Sequence, residues 1–364
     1  MILANRPKVR LFVLLLVLSA LIYVAGTSSS FVEHYYSDGS YQFSAVLQRW
    51  LSSPFAFALG DFLYVFLILY VLWSSYRLLK TRKTKTKASR RDLPFQVASF
   101  MLILYLAFKL LWGLNYSRPS ISSRLGIAAE KYNTEQLLSL ARFFITRINQ
   151  SQHIEKPRYD IHTLKQKAKE SYDLMQRRQD FFKYTCPSVK PVLNSWLITK
   201  IGIEGYYNPL SGEANVNMML PRTALPFVTC HEIAHQLGIA REDEANLIGY
   251  LSAVNSADAF FRYSANYNML RSILLEIRRR TPEHYQEIYE TINKGTIAEF
   301  KNDRAFWQKY NSDMYGYMDA ALDSFLKLNN QHKGTDSYQD IVIWLYNIHK
   351  KELDLEGTGK TLQP

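Results

Sequence analysis

Two histidines that are four residues apart, with a glutamate directly after the first, are the residues of this sequence best suited to carry chemistry. They are His231 and His235, and the glutamate is Glu232, in the pattern H-E-x-x-H. On a helix, side chains at positions i and i+4 lie on one face, one turn apart, so both imidazoles can bind one metal ion. The pattern therefore predicts a metal site whose first two ligands are His231 and His235.

Zinc is the ion that this pattern favours, because zinc accepts imidazole and carboxylate ligands and keeps a fourth position open for water. Zinc lowers the pKa of that water to about 7. Glu232 is placed to reach the water rather than the metal, so it can take the proton as the hydroxide attacks a polarised carbonyl. The residues therefore predict a zinc-dependent hydrolysis of amide bonds, with Zn²⁺ as cofactor and Glu232 as general base.

A third metal ligand must come from outside the motif, and acidic residues follow it closely. Gly238 is suited to end the motif helix in a left-handed cap, after which a helix beginning near Glu242 can present a carboxylate to the metal. Both Glu242 and Glu244 can supply that carboxylate. Acidic residues are also common in the first turn of a helix because they interact favourably with its dipole. The residues alone leave both glutamates open as the third ligand.

The run Glu242-Asp243-Glu244-Ala245-Asn246 resembles the Glu-x-x-Ala-Asp segment of the gluzincins, a group of zincin metallopeptidases. This resemblance implies that Glu242 is the third ligand and that Asn246, one turn later, orients a histidine. Most of the chain also resembles a family of uncharacterised bacterial membrane proteins with a presumed zinc-peptidase domain. The segments that carry this second resemblance are 111–116 (LWGLNY), 205–209 (GYYNP) and the motif region itself.

The pattern of apolar residues and turn signals predicts a mainly α protein whose domain of residues 115–364 is helical and α+β, with a small β-sheet. The resemblance to zincins implies that this domain is zincin-like. Residues 196–203, turn signals at 205–212 and residues 213–220 predict a strand pair directly ahead of the motif. By analogy with zincins, the 213–220 strand would form the cleft edge that pairs with an extended substrate. Helical periodicity covers the segments 134–149, 164–182, 242–254, 269–279, 297–327 and 338–351.

Residues 1–114 contain three apolar runs, at about 11–25, 55–73 and 95–114. The second and third are long enough to cross a bilayer, and the first is close to the minimum length. The first run could also be a signal peptide, but no clear cleavage site of the Ala-x-Ala type follows it, which favours a retained anchor.

Residues 1–114 also carry 13 Lys and Arg against 4 Asp and Glu, and the loop at 77–91 holds eight Lys and Arg and no acid. By the positive-inside rule, the N-terminus and this loop are cytoplasmic and the domain 115–364 is extracytoplasmic. We therefore expect a multi-pass protein of the inner (plasma) membrane, with the lipid bilayer rather than nucleic acid as its partner.

Several other side chains are candidates for smaller roles. Tyr206, Tyr207 and Tyr250 can each offer a hydroxyl to an oxyanion, and the sequence does not choose among them. Cys186 and Cys230 are the only cysteines, and the sequence is compatible with a disulfide between them or with two free thiols. Four other histidines lack partners at ligand spacing, so no metal role is expected for His162, His284, His332 or His349.

Two functions fit these observations. The first is a membrane-anchored zinc metallopeptidase that acts on a peptide or protein substrate outside the cytoplasm. The second is a non-catalytic membrane sensor or scaffold whose metal is structural. An intramembrane protease is not expected, because the motif lies more than 100 residues beyond the last apolar run.

Overall fold

The computed structural model of the chain describes residues 7–80, 87–310 and 313–357. These residues are mainly helical and include one open sheet of three strands, which confirms the predicted helical class with a small sheet. The chain forms two compact units. The first comprises Met1–Pro119 and Asn208–Glu213, and the second comprises Ser120–Tyr207 and Ala214–Pro364. The first unit thus includes residues 208–213, which the sequence assigned to the second domain.

The first unit contains three helices that are long and apolar enough to cross a membrane, namely Pro7–Ala25, Leu59–Arg77 and Asp92–Leu111. They confirm the three predicted apolar helices with shifted bounds. Residues 81–86 of the predicted basic loop lie outside the described residues. The α-helices of this unit are α1 (Pro7–Ala25), α2 (Ser29–Phe31), α3 (Tyr41–Ser52), α4 (Leu59–Lys80) and α5 (Lys87–Leu111). A π-helical segment, Val32–Ser40, precedes α3, and a 3₁₀ turn, Gly113–Ser117, follows α5.

Helix α4 begins later than its apolar run because a carboxylate from a distant part of the chain fixes its first residue. The two carboxylate oxygens of Glu213 accept hydrogen bonds from the backbone N–H groups of Leu59, at 3.0 Å, and Gly60, at 2.7 Å. These N–H groups have no partner within a helix, and the positive end of the helix dipole favours an anion there. Glu213 therefore serves as the N-terminal cap of α4, which sequence periodicity could not show.

The second unit is also mostly helical, and most of the helices predicted for it are present. The segment predicted at 297–327 forms two helices in the described residues, and the segment predicted at 338–351 is split between a 3₁₀ turn, Gly334–Asp340, and a helix. The α-helices of the unit are α6 (Ile121–Leu125), α7 (Thr134–Gln150), α8 (Ile161–Gln176), α9 (Ser195–Lys200), α10 (Leu225–Gln236), α11 (Glu242–Val254), α12 (Ala259–Arg280), α13 (Tyr285–Glu290), α14 (Lys294–Tyr310), α15 (Asp313–Leu328) and α16 (Ile341–Gly357).

The prediction of a strand at 196–203 is wrong, because this segment contains helix α9. The side chain of Asn194 accepts a hydrogen bond from the N–H of Leu197 at 3.0 Å and caps that helix. Such a cap contributes about 1 kcal/mol, which is enough to offset the β propensity of a short segment. Of the residues 205–212 that carry turn signals, the first half forms strand β2 (Gly205–Asn208), and the turn itself is confirmed at 209–212, where the N–H of Gly212 donates to the carbonyl of Asn208 at 2.9 Å.

The sheet has the order β1-β3-β2, in which β1 is Val189–Pro191 and β3 is Glu213–Val216. Strands β1 and β3 are parallel, and Val189 pairs with Ala214. The predicted 213–220 strand therefore exists over its first half, but it lies in the middle of the sheet rather than at a free edge. Strand β2 is an edge strand of this sheet.

The core of the second unit is formed where α10 packs against α8, α11 and α12, with α7 packed on α12. Every residue of α10 is buried. The motif helix is thus the central helix of this core, and polar groups on it must find partners there or bind a ligand.

Candidate metal centre

The two histidines of the motif project from consecutive turns of α10 and face each other. Their Nε2 atoms are 3.2 Å apart. The Oε2 atom of Glu242, at the start of α11, lies 3.3 Å from Nε2 of His231 and 3.6 Å from Nε2 of His235. All three residues are buried, with exposed fractions of 8%, 5% and 9% in the order His231, His235 and Glu242. The three atoms form one group that could hold a metal ion.

The spacing of these three atoms fits a divalent ion. A tetrahedral zinc ion with bonds of about 2.0–2.2 Å holds its ligand atoms roughly 3.3–3.6 Å from one another. The observed separations of 3.2, 3.3 and 3.6 Å agree with three corners of such a tetrahedron. Two imidazoles and one carboxylate are also a donor set that zinc accepts in open, catalytic sites.

The charges of these three side chains also favour a bound cation. Burial lowers the pKa of His235, but the carboxylate of Glu242 outweighs burial and raises that pKa to about 9. Burial likewise raises the pKa of Glu242, but the charge and hydrogen bonds of the histidines bring it far below its ordinary value. The centre therefore favours a positive charge between these side chains, and a metal cation can supply it in place of a proton.

A backbone carbonyl orients the second histidine. The Nδ1–H group of His235 donates a hydrogen bond of 2.6 Å to the carbonyl oxygen of Ile239, which leaves Nε2 to face Glu242. The chain reverses at Gly238, whose φ is +86°, and the N–H of Ile239 donates back to the carbonyl of Ala234 at 3.3 Å. This left-handed cap confirms the predicted end of the motif helix and places the Ile239 carbonyl.

The structure brings Glu242 to the histidines and turns Glu244 away from them. The Oε1 atom of Glu244 accepts a hydrogen bond of 3.0 Å from the N–H of Ile121 and lies 3.6 Å from Nη1 of Arg241. Burial, with a smaller contribution from Asp243, raises the pKa of Glu244 to about 7. Of the two glutamates that the sequence left open, only Glu242 has the geometry of a ligand.

Asn246 lies beside the first histidine, one turn after Glu242. Burial lowers the pKa of His231 overall, while Glu242 and then the Asn246 side chain act to raise it. Within the described part of the chain, no atom makes a well-formed hydrogen bond to the buried Nδ1 of His231. The side chain of Asn246 therefore acts on His231, the kind of contact with a histidine that the gluzincin resemblance implied.

Glu232 is buried on α10 next to the first ligand, with 3% of its surface exposed. Burial raises its pKa to about 8; the charge on His235 lowers this pKa, whereas Glu242 and Glu204 raise it further. Its Oε2 atom has no hydrogen-bond partner among the described residues, and neither Arg222 nor Arg241 forms an ion pair with it there. A carboxylate in this state is available to exchange a proton.

A glycine on the edge strand leaves room for this carboxylate. A Cβ atom at position 205 would lie 2.6 Å from Oε1 of Glu232 and 2.8 Å from the carbonyl oxygen of Asn215. These distances are too short for any residue larger than glycine without a shift of the strand or the carboxylate. Gly205 therefore sets the closest approach between strand β2 and Glu232.

Comparison with known proteins places this chain in one family. Residues 36–346, which include the whole metal centre, match the family described as "Protein of unknown function (DUF3810)". The chain belongs to this family. No curated protein and no solved structure matches it significantly. Because the description of DUF3810 assigns no activity, any function must be argued from the site itself, and the likeness to gluzincins stays a prediction.

The tyrosines and cysteines that were candidates for smaller roles in this DUF3810 chain do not supply any of the three ligand atoms. The hydroxyl of Tyr250 lies 2.7 Å from Nε2 of His349 in the core, so it faces a structural partner rather than the centre. Tyr206 and Tyr207 belong to strand β2, next to Gly205. Cys186 and Cys230 are both free thiols, so no disulfide joins them.

Two contributors to the DUF3810 centre carry no recognisable sequence signal. The carbonyl of Ile239 acts through the backbone, which no residue type reveals. Glu204 lies close enough to raise the pKa of Glu232, but it precedes the motif by more than twenty residues and has no regular spacing to it. Gly238, in contrast, was detectable from the sequence, because a glycine after a motif helix is typical of a left-handed cap.

Proposed function

We propose that this protein is a membrane-anchored, zinc-dependent metallopeptidase that hydrolyses peptide bonds in a peptide or protein substrate. The observation that carries the proposal is the convergence of three ligand atoms on one centre beside the carboxylate of Glu232, whose Oε2 atom has no hydrogen-bond partner among the described residues. Structural zinc sites are closed by four protein ligands, whereas catalytic sites have three and keep one position open. Three ligands and an adjacent free carboxylate support the catalytic kind.

The chain's own residues have separate tasks in this proposal. His231, His235 and Glu242 would hold zinc, which when bound supplies a Lewis acid that polarises a carbonyl and acidifies water. Glu232 accepts the proton of the attacking water and returns it to the leaving amine. The Ile239 carbonyl keeps the His235 ring in position, so the centre does not have to reorganise during the reaction.

The sensor or scaffold with a structural metal is the second candidate, and one observation favours it. The three ligands and Glu232 are all less than 10% exposed, whereas a substrate has to reach a catalytic centre.

The two candidates predict different effects of His231→Ala. A structural metal holds the fold, so its loss unfolds the second unit, whereas loss of a catalytic metal leaves a folded and inactive protein. Circular dichroism of the purified variant separates these outcomes.

Removal of the metal tests the first proposal directly. We expect the purified full-length protein to contain about one zinc ion per chain and to cleave peptides in a mixed peptide library. Dialysis against a chelator should abolish cleavage, and added Zn²⁺ should restore it where Mg²⁺ does not, because Mg²⁺ prefers oxygen ligands. Cleavage that persists in metal-free protein contradicts the proposal. Bound zinc without any cleavage favours the structural candidate.

We further propose that the protein resides in the inner membrane with the second unit outside the cytoplasm. The three apolar helices and the basic residues at 77–91 support this orientation. Alkaline phosphatase, which needs an oxidising compartment, is expected to be active when fused after residue 119 and inactive when fused within 81–86. Green fluorescent protein fused at the same two sites should give the opposite pattern. The reverse result at both sites would show that the orientation is inverted.

A further inference from the structure

A groove with a volume of about 580 Å³ lies on the second unit, among residues of α12, α13 and α14. None of the metal-centre residues lines it. Its lining combines four cationic side chains, Arg271, Arg278, Lys301 and Arg304, with aromatic rings and a single carboxylate, that of Asp303. A pocket of this size accommodates a ligand of several residues rather than a single small anion.

Most of the positive charge in the groove is not neutralised by the protein. Arg271 shares Asp303, at a distance of 4.0 Å, and the hydroxyl of Tyr267 donates to the same carboxylate at 2.7 Å. Within the part of the chain that the structure describes, no carboxylate lies within 4.0 Å of Arg278, Lys301 or Arg304. These exposed cations create a positive potential in a concave surface, which attracts an anionic ligand.

The aromatic residues favour a peptide over a compact anion. The rings of Tyr285 and Tyr289 are stacked, with centroids 5.6 Å apart, and Phe300 and Trp307 add further apolar surface to the groove. Flat aromatic faces bind aliphatic and aromatic parts of a chain, while guanidinium groups bind carboxylates with two parallel hydrogen bonds. The groove thus offers complementary surface to both the backbone and the acidic side chains of a peptide.

We propose that this groove is a binding site for acidic peptide segments. The proposal goes beyond the peptidase function, because binding in the groove needs neither the metal nor Glu232. If the protein is a peptidase, such a site selects substrates that carry Asp and Glu residues at a distance from the cleaved bond.

The test is a direct binding measurement with defined peptides. Full-length protein in nanodiscs of zwitterionic lipid is titrated against fluorescein-labelled hexaglutamate, with hexaglutamine and hexalysine as comparison peptides, at low ionic strength. We expect hexaglutamate alone to bind and its affinity to fall with added salt. Arg304→Glu and Lys301→Glu should each weaken that binding about tenfold.

A control variant is available on the same helix. Lys309 is exposed on α14, about two turns beyond Lys301, and it does not line the groove. Lys309→Glu, with the same change of charge, should alter the affinity less than about twofold. The proposal is overturned if Lys309→Glu weakens binding as much as Arg304→Glu, if hexaglutamine binds equally well, or if inorganic phosphate competes as strongly as unlabelled hexaglutamate.

Discussion

Glu232→Gln is expected to reduce peptide hydrolysis by a factor of about 10²–10⁴ while the protein keeps its zinc and its fold. Glutamine has nearly the shape of glutamate, so the packing against Gly205 is preserved. It has no carboxylate, however, and cannot accept the proton of an attacking water. The loss should appear in kcat rather than in KM, since Glu232 is proposed to act on the reacting water and not on substrate binding.

Initial rates with a defined peptide, zinc quantification and circular dichroism measure these three properties in the same preparation. Glu244→Gln is the matched control, because it changes a buried glutamate of the neighbouring helix that faces Ile121 rather than the histidines. A Glu232→Gln variant that is as active as the unmodified protein would show that Glu232 is not the base. Loss of zinc from this variant would show that Glu232 helps to bind the metal instead.

The part of the centre that the sequence predicts well depends on local geometry. The pattern H-E-x-x-H places His231 and His235 on one face of any helix, so their approach follows from helical spacing alone. Gly238 likewise predicts the end of α10, since the reversal needs a positive φ. These features involve only a few consecutive residues, and no tertiary contact is needed to infer them.

The choice between Glu242 and Glu244 needed the packing of two helices. The two residues lie in the same turn, and their side chains point in directions about 160° apart around α11, because two steps of roughly 100° each rotate the direction by about 200°. Which direction faces the histidines depends on how α11 packs against α10, and that is a tertiary property. The gluzincin resemblance implied that Glu242 is the third ligand, and Glu242 is the glutamate that lies near the histidines in the structure. The number of residues after His235 did not decide between Glu242 and Glu244.

Elements that depend on contacts distant in sequence were predicted least well. The cap that Glu213 forms on α4 joins residues more than 150 positions apart, so no local pattern predicts that this helix begins at Leu59. The middle position of β3 follows from its pairing with β1 as well as β2. The cationic groove is formed by three separate helices, and its residues have no common pattern in the sequence.

Glu242→Ala is expected to weaken zinc binding by roughly 10²- to 10³-fold. Structural zinc in small proteins contributes about 10–16 kcal/mol at neutral pH, which corresponds to roughly 2.5–4 kcal/mol for each of the four ligands of such a site. The substitution removes the only carboxylate that lies within 4.0 Å of both His231 and His235 in the described residues. Competition with a chelator of known affinity measures the change, and hydrolysis should fall in proportion to the zinc that is lost.

Glu244→Gln distinguishes a ligand from a structural acid in the same helix turn. Glutamine retains an oxygen that can accept the N–H of Ile121, so we expect full zinc content and a change in the free energy of unfolding below about 1 kcal/mol. The opposite pattern, in which Glu244→Gln loses zinc and Glu242→Ala keeps it, would assign the third ligand to Glu244 and contradict the geometry described for the centre. If neither variant loses zinc, the metal is held elsewhere, and the proposed peptidase loses its structural basis.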